Sequence, residues 1–308
     1  MRGAQIRGWG SALPEKVVTN DDLAQTLDTS DEWITERTGI RERRVGGTTS
    51  GLAIDAGRQA MERAGWSPES VDLVILATTS PDQQVPATAS TVQHELGLTC
   101  GAFDLNAACS GFAYGLVTAH GLIDAGMDRI LVIGAETLSR LTDWDDRGTA
   151  ILFADGAGAV ALESVDGPGE LLAWDLGSDG SLRHILDADI GGYFRMDGRE
   201  VFRRAVRVMV SSAEVTLAKA GVSVDDIALV VPHQANIRII QSACDKLGIP
   251  MDRVVSILER TGNTSSATIP MALAEAADTG RLQPDDLVLM VGFGAGMTWA
   301  SALLRWNP

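Results

Sequence analysis

Three residues of this chain have types and settings suited to nucleophilic chemistry: Cys109, His233 and Asn263. Cys109 lies in DLNAACSGFAYGL, where a strand-like run gives way to a helix-like one. A thiol at a helix N-terminus faces the positive end of the dipole, which favours its thiolate. The small neighbours Ala107, Ala108, Ser110 and Gly111 leave room for a substrate. A free cysteine is ordinarily a buried small hydrophobe, the reading that suits Cys100 and Cys244. His233 lies in LVVPHQANIRII, at the C-terminal end of a strand, where α/β proteins place their sites. Alone it is equally a residue that caps the following helix. Asn263, in ERTGNTSSATIP, is by itself an ordinary helix cap. The GFGAGMTWAS segment at 292–301 has the glycines that let backbone N–H groups turn toward a ligand, as an oxyanion hole requires. A simple turn has the same composition.

Two segments match two others further along the chain. AGWSPESVDLV at 64–74 resembles AGVSVDDIALV at 220–230, an offset of 156. Aligning Gly126 on Gly280, an offset of 154, matches the stretch around Cys109 to the stretch around Asn263 and lays Cys109 on Asn263. Two collinear matches imply a duplication, hence two pseudo-symmetric α/β halves whose helix starts face one cavity. The boundary is expected in the Gly/Asp-rich stretch 164–180, giving halves 1–170 and 171–308. Strands are expected at 4–10, 72–78, 101–105, 129–135, 157–163, 228–232, 253–257, 286–292 and 298–305, and helices at 50–64, 86–96, 110–125, 199–220, 235–247 and 266–278. This alternation predicts sheets covered on their faces.

Composition narrows the function. The chain has 308 residues, 45% hydrophobic and 21% charged, with net charge −16. That balance fits a soluble globular protein and argues against a nucleic-acid partner. An acidic partner would need a local basic patch. No run is long enough to span a membrane, and MRGAQIRGWGSALP lacks the apolar core of a signal peptide. Three cysteines do not make a disulfide framework and suit a reducing, cytoplasmic setting. There is no CxxC or HExxH, so a metal site is not expected.

Seven motifs in order, DTSDEWITERTGIRER, DLNAACSGF, DRGTAILFADGAGAV, MDGREVF, VPHQANIRII, GNTSSATIP and GFGAGMTWAS, resemble those of the β-ketoacyl-acyl carrier protein synthase III family over roughly residues 1–306. The resemblance implies the thiolase fold, a five-layered αβαβα duplication. It implies an acyltransferase that condenses an acyl-CoA primer with malonyl-acyl carrier protein and starts fatty-acid or polyketide chains. Cys109 would be the nucleophile, with His233 and Asn263 its partners in condensation. Backbone N–H groups of Cys109 and Ala295 would form the oxyanion hole. Trp33 and Arg147 would sandwich the coenzyme A adenine, with Arg37 beside the nucleotide. Arg238 would help dock the carrier protein, and Phe153, Met196 and Phe202 would line the substrate channel. Coenzyme A enters as a thioester substrate, no cofactor is implied, and a homodimer is.

Two departures stand out. Val85 replaces the Phe with which short-chain members close the partner's acyl pocket, and Ser181–Tyr193 is shorter than the family's segment. Relatives differ in chemistry. A thiolase needs a second cysteine, which 292–301 lacks, and elongating ketosynthases use Cys–His–His. A specialised acyltransferase, or a non-catalytic acyl- or carrier-binding homologue, are the other readings.

Overall fold

Uniformly apolar runs such as Leu73–Ala77, buried along its whole length, build two sheets covered on both faces. The computed structural model describes residues 2–308. The first part runs β1 (Arg2–Ala12), β2 (Val17–Thr19), α1 (Asn20–Ala24), α2 (Asp31–Thr38), β3 (Glu42–Arg44), α3 (Thr49–Ala64), β4 (Leu73–Ala77), α4 (Thr88–Glu95), β5 (Gly101–Leu105), α5 (Gly111–Asp124), β6 (Arg129–Thr137), α6 (Arg147–Ala150) and β7 (Asp155–Asp166). The second runs β8 (Leu171–Ser178), β9 (Leu186–Asp187), β10 (Arg195–Met196), α7 (Gly198–Ala220), β11 (Leu229–Pro232), α8 (Ile237–Leu247), α9 (Leu258–Thr261), α10 (Thr268–Asp278), β12 (Leu287–Gly294) and β13 (Thr298–Arg305).

The first large sheet has the order β1-β7-β6-β4-β5 and the second β11-β12-β13-β8. From β5 inward, the first sheet pairs parallel, parallel, antiparallel, antiparallel. The second repeats those senses if it is started from Val254, which bridges Val230 in parallel. The expected strand 253–257 is thus reduced to a single bridge. A 3-10 turn at Met251–Arg253 and the start of α9 at Leu258 leave residues 254–257 between them, and Val255 N–H bonds Val230 O. β8 occupies much of the stretch expected as the boundary.

α5 and α10 lie between the sheets. GFAYGLVTAHGLID and TIPMALAEAAD contain no Lys or Arg, and their apolar residues join inward faces of both sheets in one core cluster. On the outer faces, α3 and α4 cover the first sheet, and α7 and α8 the second. The result is five layers, αβαβα. α3, α7 and α8 each carry a side-chain N-cap (Thr48, Asp197, Asn236) and a left-handed Gly stop (Gly65, Gly221, Gly248). Among the described residues no helix is long and apolar enough to cross a membrane.

The duplication is real, but its register at the nucleophile differs from the expected one. Ala108 and Ser265 are both non-glycine residues at positive φ, +48° and +47°, 157 positions apart. Each follows an asparagine that accepts its N–H, Asn106 Oδ1 at 3.2 Å and Asn263 Oδ1 at 2.9 Å. The counterpart of Cys109 is therefore Ser266, and that of Asn263 is Asn106. The Gly126–Gly280 alignment slipped because α5 has 14 residues and α10 has 11. Those three residues are the difference between the offsets.

Candidate active site

The two asparagine-capped turns meet between the halves. Each presses on the other half's central strand at a glycine. A Cβ on Gly294 would sit 2.4 Å from the Cys109 nitrogen, and one on Gly134 would sit 2.4 Å from the Ser266 oxygen. Thr298 Oγ1 donates to Ala107 O at 2.8 Å and fastens the glycine-rich loop to the nucleophile turn. Cys109 sits in the 3-10 turn Ala108–Ser110, immediately before α5.

His233 extends β11, its N–H bonded to Val291 O at 2.8 Å. Its Nδ1 lies 2.7 Å from the Thr268 hydroxyl, and its ring meets Phe293 edge-on at 5.5 Å. Asn263 is fixed by its own backbone, which donates to Leu152 O and accepts from Ala154 N, both at 2.9 Å. Because its Oδ1 is used by Ser265 N–H, the Nδ2 donor remains for the cavity. Gln234 is buried and ties the loop after His233 through Pro232 O, Val255 O and Ile257 N–H.

One cavity of about 610 Å³ holds Cys109, His233 and Asn263. The three are only 8%, 1% and 5% exposed. Burial pushes the Cys109 thiol up to about 12 and the His233 imidazole down to about 3. Burial thus favours the neutral thiol and the neutral imidazole, opposing the pull of the helix position toward the thiolate.

Phe153, Met196 and Phe202 line the cavity as expected, with Leu152, Ile151, Leu186 and Val201. Val85 does not line its own chain's cavity; it is 81% exposed. The mouth carries Trp33, Arg37, Arg199 and Arg238. Asn236 links two of these by donating to Arg37 O while accepting Arg238 N–H. Among the described residues Arg37, Arg199 and Arg238 form no ion pair, whereas Arg203 and Arg204 are both held by Glu200. The guanidiniums of Arg37 and Arg147 stand 4.3 and 4.7 Å from the Trp33 ring centre. A planar base between Trp33 and Arg147 would need two layers, about 7 Å, more than the 4.7 Å that separates Arg147 from the ring.

Sequence reasoning missed Arg199, Thr268 and Ser265. Arg199 was within reach, since it lies in MDGREVF three positions before Phe202, one helical turn away. Thr268 could not be found without knowing that α10 starts beside His233.

A duplicated αβαβα fold with a Cys–His–Asn cavity between the halves defines a thiolase-fold condensing enzyme, an acyltransferase. Family models for 3-oxoacyl-[acyl-carrier-protein (ACP)] synthase III match residues 103–180, and for its C-terminal part residues 217–306. The chain is 51% identical to β-ketoacyl-[acyl-carrier-protein] synthase III of Erythrobacter litoralis, covering 98% of this chain and 99% of that one. The crystal structure of 3-oxoacyl-[acyl-carrier-protein] synthase III from Aquifex aeolicus superposes with TM-score 0.97 at 47% identity, over 99% and 100% of the two chains. The priming β-ketosynthase of the R1128 polyketide pathway gives 0.94 at 36%, over 99% and 97%. The chain belongs to the β-ketoacyl-acyl carrier protein synthase III family.

Proposed function

We propose that this enzyme joins an acyl-CoA primer to malonyl-acyl carrier protein and releases β-ketoacyl-acyl carrier protein, initiating fatty-acid synthesis through an acyl-Cys109 intermediate. The observation that supports this reading is the single cavity shared by Cys109, His233 and Asn263. In the first half-reaction the Cys109 sulfur bonds to the acyl carbon and the thioester C–S bond breaks. Coenzyme A leaves with the proton the thiol loses. Backbone N–H groups of Cys109 and Ala295 hold the tetrahedral oxyanion. In the second, malonyl-acyl carrier protein loses CO₂, and the bonding pair becomes an enolate whose oxygen is hydrogen-bonded by His233 and Asn263. The enolate carbon attacks the acyl-Cys109 carbonyl, and the sulfur departs and takes up one proton. Decarboxylation supplies the nucleophile, so the scheme has no α-proton abstraction and no step through a cofactor.

The halves 1–170 and 171–308 divide the work, the first supplying the nucleophile and the second the His and Asn. Trp33, Arg37 and Arg147 hold the coenzyme A nucleotide. Arg238 docks the carrier protein, and among the described residues no carboxylate pairs with it. Arg238→Glu is expected to raise KM for malonyl-acyl carrier protein about tenfold, as the loss of roughly 1.4 kcal/mol would. KM for acyl-CoA should move little, and the carrier-protein effect should shrink with salt. Equal losses for both thioesters would remove the docking role. Polyketide priming is a second reading, supported by the likeness to the R1128 priming enzyme. The three free thiols suit the cytoplasm.

The enzyme acts as a homodimer in which Val85 reaches the partner's acyl pocket. Its exposure and the exposed Phe103 on edge strand β5 support this, and light scattering of the purified protein tests it. Val in place of Phe frees apolar space, and each further buried methylene contributes about 0.8 kcal/mol. Wild type should therefore accept longer or branched primers, and Val85→Phe should shift the chain-length profile toward acetyl-CoA. An unchanged profile would contradict this placement. The reading as a whole is tested by incubating enzyme, an acyl-CoA series and malonyl-acyl carrier protein. It requires β-ketoacyl-acyl carrier protein and CO₂ in equal amounts, and fails if no acyl-CoA gives that product.

A further inference from the structure

A carboxylate that the scheme above does not use lies at the seam of the two halves. Glu136, on β6, is fully buried, and among the described residues no cation pairs with it. Its Oε2 is surrounded by the Thr78 and Thr79 hydroxyls, the Thr79 and Ser80 N–H groups and the Ser80 hydroxyl. That exceeds the lone pairs one oxygen offers. Its Oε1 shares the Thr79 N–H, at 3.2 Å against 3.0 Å for Oε2, and has one neighbour of its own, Ser266 Oγ, at 2.8 Å. The same Ser266 Oγ is also 2.8 Å from Ala77 O. Ser266 has one hydroxyl hydrogen and two acceptors at equal distance. Ala77 O can only accept. A proton on Glu136 Oε1 gives both contacts a hydrogen of their own: Glu136 donates to Ser266, and Ser266 donates to Ala77.

We propose that Glu136 is held as a neutral carboxylic acid, and that the chain Glu136–Ser266–Ala77 is a positioning device that seats the Asn263–Thr268 turn against the nucleophile half. Ser266 is the pseudo-symmetric counterpart of Cys109, so the second half's turn is anchored where the first half's turn reacts. Asn263 stands three residues before Ser266 and Thr268, the partner of His233 Nδ1, two after it. A lost bridge therefore shifts both groups proposed to hold the enolate oxygen. Neutrality has a second consequence. A charge on Glu136 would oppose a developing thiolate on Cys109. Burial raises the Glu136 carboxyl above the ordinary 4.5 against the opposing pull of its hydrogen-bond donors. The other ionisable groups nearby are Cys109, Arg140, which bonds Ser80 O and Thr137 Oγ1, and the buried Asp155 on β7.

The protonation claim stands apart from the catalytic reading, and only the kinetic consequence rests on it. Infrared difference spectra of wild type against Glu136→Gln at pH 7 should contain a protonated-carboxyl C=O band lost in the variant. In Ser266→Ala that band should move to higher frequency. A carboxylate band in its place, or an unshifted band, would overturn the proposal whatever the enzyme's substrate. Glu136→Gln keeps a donor to Ser266 and should condense within about threefold of wild type, while Ser266→Ala should lose about tenfold in condensation but keep acyl-CoA-dependent labelling of Cys109. Equal losses in the two half-reactions would reduce Ser266 to a structural role. For an acid raised in the folded state, stability is full below 4.5 and lost as pH rises toward the folded value. The melting temperature of Glu136→Gln relative to wild type should accordingly climb with pH above that point, and a flat difference would also count against the proposal.

Discussion

Cys109→Ala is expected to lower acyl transfer from acyl-CoA by roughly 10⁴-fold or more, because among the described residues Cys109 is the only thiol that lines the cavity. The prediction is specific to this thiol. Cys100 is half-buried behind the first sheet and Cys244 lies in the α7–α8 core. Alanine at either position should leave turnover nearly unchanged. Cys109→Ala should retain part of the malonyl-acyl carrier protein decarboxylation, since His233 and Asn263 remain. The assays are acyl-adduct mass spectrometry and CO₂ release from labelled malonyl-acyl carrier protein. Normal thioester exchange by Cys109→Ala would remove Cys109 from its role.

His233→Ala and Asn263→Ala should separate the half-reactions in the opposite way. Each loses a hydrogen bond aimed at the enolate oxygen, and removing one such donor costs about 10²–10³ in rate. Condensation should fall by that factor while the acyl adduct on Cys109 still forms. Burial pushes the imidazole down to about 3, which disfavours a resting cation beside the thiol. The result contrary to this division is a variant that fails to acylate. His233 would then serve the first half-reaction as a base.

Much of this site was readable in the chain before its fold was seen. The strands 101–105 and 298–305 are at their expected positions, and β4, β6 and β11 lie within two residues of theirs; β4, β6 and β11 were legible because buried strands are continuous apolar runs. α2, which carries Trp33, escaped periodicity because DEWITERT has two buried residues and a charged surface. Its boundary signals were there nonetheless, Ser30 as N-cap and Gly39 as left-handed stop. The pairing of Cys109 with Ser266 was hidden by the unequal lengths of α5 and α10, which no composition argument reveals. The Glu136–Ser266 contact was invisible for another reason. It joins residues 130 positions apart, one on β6 and one in the turn before α10, and neither residue type stands out in its own segment.

The central claim, that one acyl group passes through Cys109 to a malonyl-derived carbon, is tested most directly by a pulse and chase on the intact enzyme. A pulse of acyl-CoA should add one acyl mass to the peptide that contains Cys109. A chase with malonyl-acyl carrier protein should remove that mass and yield β-ketoacyl-acyl carrier protein in equal amount. An adduct on another residue, an adduct that survives the chase, or product formed with no adduct passing through Cys109 would contradict the account.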